Sequence, residues 1–150
     1  MLIKKAKANL DIARYCAGCS DVSYYSVGAS RAYYSIFQSA KSILQNGSFD
    51  YFSFLNTIPK RKEYDHDNHK PYSHGTISSA LCTYISKRPK YIEETHKYLQ
   101  FQINATFSAL YSLRVQADYE GKDIEISILN DAIKKAEKLI SDLKLFIGFN

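Results

Sequence analysis

An arginine able to hold a phosphate stands near the end of a long periodic apolar pattern, and an aspartate and a tyrosine follow it within five positions. Arg114 is followed four and five positions later by Asp118 and Tyr119. A guanidinium carries five N–H donors in a rigid planar fork, which suits the oxygens of a phosphate. Two interpretations are open. The stretch is a polar binding site, or Arg114 offsets the dipole of a helix C-terminus while Tyr119 covers the last turn.

A second arginine stands beside a pair of tyrosines upstream. Arg31 precedes Tyr34 by three positions, and side chains three or four residues apart share one face of a helix. Either Arg31 reaches the same groove as Arg114, or its charged end is solvated while its aliphatic stem packs on the helix. Both residues are candidate contacts for a phosphate-bearing ligand.

Basic residues also cluster in a turn between two predicted helices, where Lys87 and Arg88 are adjacent. Such clusters bind the phosphates of nucleic acids, and the alternative is a solvated turn. The net charge of +5 is compatible with a polyanionic partner but does not identify one.

Histidines and aspartates between positions 65 and 74 form the most metal-like group in the chain. The group is Asp65, His66, Asp67, His69 and His74. Its spacing matches no standard zinc site, so we expect solvated side chains in a polar loop. Cys16 and Cys19 form a CxxC pair without a second pair, and we expect them to pack as free thiols. The sequence therefore predicts no metal site and no cofactor.

The bulk composition indicates one globular domain over residues 1–150. The chain is 45% hydrophobic and 23% charged, which is ordinary for a folded domain. It has no apolar run of the roughly 18 residues that a membrane-spanning helix needs. The basic N-terminus lacks the apolar segment of a signal peptide, and the odd number of cysteines fits a reducing compartment. We therefore expect a cytoplasmic protein without a membrane anchor.

Apolar residues recur with the period of a helix through most of the chain, which predicts an all-α fold. We expect an antiparallel bundle of four main helices plus a short one. Ser73 would cap the short helix, with His74 as an early helical residue. Residues 48–72 break the pattern and are interpreted as a long excursion. The predicted helices cover about 2–17, 21–46, 74–86, 90–117 and 123–146.

Three motifs in this order resemble the HEPN domain family, in particular its RAYYA-type branch, over nearly the whole chain. One is an arginine with two tyrosines, another is a His-Gly entry to a short helix, and the third is an arginine followed by Ala-Asp-Tyr. They correspond to Arg31-Ala32-Tyr33-Tyr34, Ser73-His74-Gly75 and Arg114 with Ala117-Asp118-Tyr119.

The resemblance implies a helical bundle that dimerises, with the ends of the two fourth helices facing each other across a cleft. In the active branch it implies a metal-independent endoribonuclease, in which an Arg steadies the phosphate and a His acts as acid or base on the ribose 2′-hydroxyl. Relatives are often toxins paired with a small nucleotidyltransferase that neutralises them, or parts of antiviral systems.

The chain departs from that pattern at the position that would perform acid–base catalysis. Tyr119 stands where the family has its histidine, and no histidine lies between positions 97 and 150. A histidine titrates near neutrality, whereas a tyrosine titrates near 10. Losing acid–base catalysis reduces a rate by on the order of 10²–10⁴. Some relatives also carry a tyrosine, two positions after the histidine, to which the partner attaches a nucleotide; Gly121 stands there in this chain.

Two functions remain open. The first is a HEPN-type protein of a toxin–antitoxin or antiviral system that cleaves RNA without a metal, using Arg114, Asp118 and Tyr119. The second is a non-catalytic HEPN subunit that binds RNA, a nucleotide or a nucleotidyltransferase partner. We expect a homodimer in either case. The candidate contacts for RNA or a nucleotide are Arg31, Tyr34, His74, Lys87 and Arg88.

Overall fold

The computed structural model describes residues 2–58, 73–88 and 93–147, and within these ranges the chain is helical and contains no strand. The predicted all-α class is confirmed. Six helices are described: α1 (Leu2–Ala17), α2 (Ser23–Asn46), α3 (Tyr51–Asn56), α4 (Ile77–Ser86), α5 (Glu93–Tyr119) and α6 (Ile126–Ile147).

The short helix α3 was not predicted, because its six residues are too few to show a helical period. Asp50 starts it by accepting hydrogen bonds from the backbone N–H of Ser53 at 3.0 Å and from its hydroxyl at 2.7 Å. The helix therefore lies inside the stretch that the sequence analysis interpreted as an excursion. Residues 59–72 of that stretch, including His66 and His69, lie outside the described residues.

Helix α2 is the central element and packs against α1, α4, α5 and α6. Small buried residues along it, such as Ala29, Ala32 and Ala40, let its neighbours approach closely. A close approach is seen at Gly28, where an added Cβ would lie 2.9 Å from a methyl carbon of Leu129 and 3.0 Å from the Cβ of Cys16. Gly28 is thus the point at which α1 and α6 both close onto α2.

The core is built mainly from aliphatic residues contributed by every long helix, and the largest fully buried side chains among the described residues include one aromatic ring. Tyr33 is fully buried in the middle of α2, although its hydroxyl is polar and requires a hydrogen-bond partner. That partner comes from the segment before α4. The largest fully buried aliphatic side chains include Ile36, Leu44, Leu81, Leu99, Ile103, Leu129 and Leu139.

Helix α4 runs antiparallel to α5. The Cys82 thiol in α4 lies 3.8 Å from the carbonyl oxygen of Gln100, early in α5, while His74, before α4, packs against Tyr111 near the far end of α5. The two ends of α4 therefore meet different environments. None of the described helices is long and apolar enough to cross a membrane.

Candidate phosphate-binding site

The side chain of Arg114 is buried at the inner face of α5, with 8% of the residue exposed. Its Nε donates a hydrogen bond to Oδ2 of Asp118 at 2.9 Å, one helical turn later. Its Nη2 donates to the hydroxyls of Tyr34 and Tyr119, both at 3.1 Å. A charged group out of water is stable only when it is paired and hydrogen-bonded, and these three residues meet that requirement.

Two aromatic rings also face the Arg114 cation. The guanidinium carbon lies 5.5 Å from the ring centre of Tyr34 and 5.1 Å from that of Tyr119, within cation–π range. Burial lowers the pKa of Arg114, but Tyr34, Tyr119 and Asp118 together outweigh burial and hold the pKa above its ordinary value. The surroundings of Arg114 therefore favour its charged form.

Asp118 connects two helices at this site. Its Oδ2 accepts from Arg114 on its own helix and from the hydroxyl of Ser30 on α2 at 3.1 Å. The carboxylate is 31% exposed, so one side of the Arg114–Asp118 ion pair faces solvent. Sequence reasoning missed Ser30, because no local pattern reveals a hydrogen bond between residues 88 positions apart.

Tyr119 is the last residue of α5, and 71% of it is exposed although its hydroxyl accepts from Arg114. Gly121, two residues later, has a φ of +61°, a left-handed conformation that favours glycine and commonly follows a helix. The glycine turns the chain away at once. Tyr119 is consequently left at an open end of the helix, with most of its surface in solvent.

His74 is a second neighbour of Tyr34. Its Nδ1 is 2.8 Å from the hydroxyl of Tyr33, which gives that buried hydroxyl its partner. Its ring centre is 4.9 Å from that of Phe37 and 5.9 Å from those of Tyr34 and Tyr111. Burial raises the pKa of Tyr33 above its ordinary value. Tyr34 therefore contacts both Arg114 and His74.

The other basic candidates lie elsewhere. Arg31 is exposed on α2, and its Nη1 donates to the side-chain oxygen of Asn9 on α1 at 3.2 Å. Arg88 follows the C-terminal end of α4, where its Nη1 donates to the hydroxyl of Tyr84 at 2.6 Å. Because α4 is antiparallel to α5, Lys87 and Arg88 lie towards the start of α5 and outside the cluster around Arg114.

Metal-ligand chemistry finds no support in the parts of the chain that the structure describes, since no three His, Cys, Asp or Glu side chains there are grouped to hold an ion. Cys16 is buried and Cys19 is half-buried, and both are free thiols. The Cys19 thiol contacts the carbonyl oxygen of Tyr15 at 3.4 Å.

No protein-family model, curated protein or solved structure matches the chain.

Proposed function

We propose that this chain is a HEPN-like protein of a toxin–antitoxin or antiviral system that binds RNA, with Arg114 as the group that holds an RNA phosphate. The observation that carries the proposal is the buried guanidinium, oriented by Asp118, Tyr34 and Tyr119. The order of the described helices supports the proposal, since α1, α2, α5 and α6 are long and the shorter helices α3 and α4 lie between α2 and α5.

The Arg114 side chain has donors left for a ligand. Among the described residues, no acceptor takes a hydrogen bond from its Nη1, whereas Nε and Nη2 are engaged. The exposed Tyr119 can leave Nη2 with little disturbance of the core, which frees a further N–H on the same edge. A phosphate approaching from the Tyr119 side would then accept two parallel hydrogen bonds from one guanidinium, the geometry that makes arginine selective for phosphate.

Binding without cleavage is the form of this function that the geometry supports best. The polar groups that contact Arg114 are a carboxylate and two phenols. The carboxylate of Asp118 already accepts hydrogen bonds from Ser30 and Arg114 through Oδ2, so it is engaged in orienting the guanidinium. A phenol titrates too far above neutrality to be an efficient acid–base catalyst at cellular pH.

A second candidate, metal-independent RNA cleavage, is favoured by the position of His74. Arg114 lies 5.5 Å from the ring centre of Tyr34, and the His74 ring lies 5.9 Å from the same centre. A phosphate-holding cation and an imidazole are thus neighbours of one tyrosine. In this version His74 takes the acid–base role of the missing family histidine, and Arg114 steadies the phosphate.

The proposal includes a homodimer and a partner protein. A second copy would face the C-terminal end of α5, where the exposed ring of Tyr119 leaves the helix end uncovered. The partner would be a nucleotidyltransferase-type antitoxin. Light scattering on the purified protein tests the dimer. A nucleotidyltransferase that is encoded next to this protein and co-purifies with it would support the two-component system.

RNA binding is tested by fluorescence anisotropy with a labelled single-stranded RNA. We expect Arg114→Gln to weaken binding by about 10-fold or more, because a charged hydrogen bond contributes roughly 1.5–3 kcal/mol. Arg114→Lys should recover only part of it, since lysine cannot form the bidentate contact. The matched control is Arg14→Gln, which removes the same charge from an exposed salt bridge on α1. Equal affinity of Arg114→Gln and the wild type would contradict the proposal.

Cleavage is tested separately on labelled total RNA in the presence of EDTA. Wild type, Arg114→Ala and His74→Gln are compared. Cleavage that is lost in both variants would establish the second candidate. Binding without cleavage by the wild type would leave the binding subunit. Equal cleavage by the wild type and Arg114→Ala would rule out a nuclease centred on Arg114.

A further inference from the structure

A cleft of about 450 Å³ lies between α1 and α2, next to the Arg114 cluster. Tyr34 forms part of its wall, and the hydroxyl of the same tyrosine accepts from Arg114. The cleft and the phosphate-binding site are therefore neighbours that share one aromatic side chain. The other polar residues of the wall are Lys5, Asn9, Arg31 and Gln38.

The charged residues that line this cleft are all positive. Its wall includes the cations of Lys5 and Arg31 and no carboxylate. Two other clefts of the molecule differ in this respect, since one is lined by Asp21 and the other by Asp50. A concave surface that carries only positive charge beside an aromatic ring is the arrangement that proteins use to follow a single nucleic-acid strand.

Hydrogen bonds along α1 hold the Arg31 side chain in place at the cleft. Its Nη1 donates to Oδ1 of Asn9 at 3.2 Å, and Nδ2 of Asn9 donates to the carbonyl oxygen of Lys5 at 2.9 Å. This contact uses one donor of a five-donor guanidinium. On the α2 side, the carboxamide oxygen of Gln38 is buried and has no hydrogen-bond partner among the described residues. The wall thus combines an oriented cation with an acceptor that lacks a donor.

We propose that the α1–α2 cleft is a second subsite for single-stranded RNA. Lys5 and Arg31 bind the phosphate that follows, along the strand, the one held by Arg114, and the nucleotide between the two phosphates lies over Tyr34. This inference rests on the proposed role of Arg114. It adds that the ligand is an extended strand and that α1 takes part in binding it.

The salt dependence of binding tests the subsite. Each phosphate contact on a single strand contributes about −0.7 to the slope of log affinity against log salt concentration. With labelled oligo(U), we expect the double variant Lys5→Ala/Arg31→Ala to bind more weakly and to have a slope that is smaller in magnitude by about 0.7. Lys7→Ala is the matched control, because Lys7 is an exposed lysine on α1 that does not line the cleft.

The outcomes separate this inference from the proposed function. Wild-type affinity and slope in the double variant, with weakened binding in Arg114→Gln, would overturn the subsite and leave Arg114 as the phosphate ligand. Weakened binding in the double variant with unchanged binding in Arg114→Gln would overturn both the role of Arg114 and the adjacency of the two sites. An equal loss of RNA affinity and slope in Lys7→Ala would show that the effect comes from the overall positive charge of α1, and would overturn the subsite. Lys5 and Arg31 are both exposed, so the thermal unfolding of the double variant should be unchanged. Thermal unfolding is measured for each variant.

Discussion

Within the described residues, two regions place an arginine over a tyrosine, and they differ in what else the arginine contacts. Arg88 lies 5.4 Å from the ring centre of Tyr84, and its hydrogen bond goes to the same tyrosine, one turn earlier in sequence. Arg114 contacts two tyrosine rings and a carboxylate, and one of these residues, Tyr34, is on another helix. Arg88 is thus held locally, whereas Arg114 is held by the tertiary fold.

The difference shows how a sequence feature becomes a site. An arginine one turn from a tyrosine forms a local contact wherever it occurs on a helix. An oriented guanidinium requires a particular register between α2 and α5. The hydrogen bond that Ser30 on α2 donates to Asp118 on α5 fixes that register. The two arginines are therefore expected to differ in their contribution to stability and to binding.

The largest expected effect comes from truncating each arginine in turn. Arg114→Ala should lower the free energy of unfolding by about 2–3 kcal/mol, because it removes charged hydrogen bonds to three residues and leaves Asp118 without its cation. Arg88→Ala should lower it by about 0.5–1 kcal/mol, since it removes one local hydrogen bond and one cation–π contact. Urea unfolding measures both. Equal losses would show that the tertiary contacts of Arg114 add nothing to a local pair.

An intermediate effect is the loss of stability at alkaline pH that arises from Tyr33, a buried neighbour of Arg114. The phenol of Tyr33 is charged when deprotonated, and burial raises its pKa in the folded protein above the value in the unfolded chain. The unfolded chain therefore releases this proton first. The contribution of Tyr33 to stability is complete below about pH 10 and is lost as pH rises above that value.

Tyr33→Phe should remove that component. The free energy of unfolding of the wild type should fall more steeply above pH 10 than that of the variant, by up to roughly 1.4 kcal/mol per pH unit. Urea unfolding at several pH values measures the difference, and Tyr15→Phe, on an exposed residue, is the control. Identical pH profiles of wild type and Tyr33→Phe would show that the buried phenol does not resist ionisation.

Much of the fold could be predicted from sequence, and the reason is the periodicity of long helices. Helix α1 was predicted at about 2–17 and is observed at Leu2–Ala17, while α5 ends at Tyr119, two residues beyond its predicted end. A start near residue 21 was predicted for α2, which begins at Ser23, because Asp21 accepts from the Ser23 backbone before the helix begins. The short helix α3 could not be predicted, because it is marked by the cap at Asp50 and is too short to show a helical period.

The candidate site could be predicted only where its residues are close in sequence. The pairing of Arg114 with Asp118 follows from a spacing of four on a helix. The role of Tyr34 in that site depends on how α2 and α5 pack, and the contact between His74 and Tyr34 depends on the path of the chain into α4. Lys87 and Arg88 were grouped with these residues by charge alone, but the antiparallel direction of α4 carries them to its other end.

The smallest expected effect concerns the most exposed of the Arg114 contacts, the hydroxyl of Tyr119. Tyr119→Phe removes a hydroxyl that accepts from Nη2 of Arg114 but keeps the exposed ring over the guanidinium. We expect a change of only about 0.5 kcal/mol in the free energy of unfolding, because water can replace an exposed acceptor. Tyr34→Phe removes the hydroxyl of a half-buried residue on α2 and should destabilise by about 1 kcal/mol. RNA affinity should follow the same order, with Tyr119→Phe close to wild type, because a bound phosphate displaces the Tyr119 hydroxyl. A larger loss of affinity in Tyr119→Phe than in Tyr34→Phe would mean that the Tyr119 hydroxyl itself contacts the RNA.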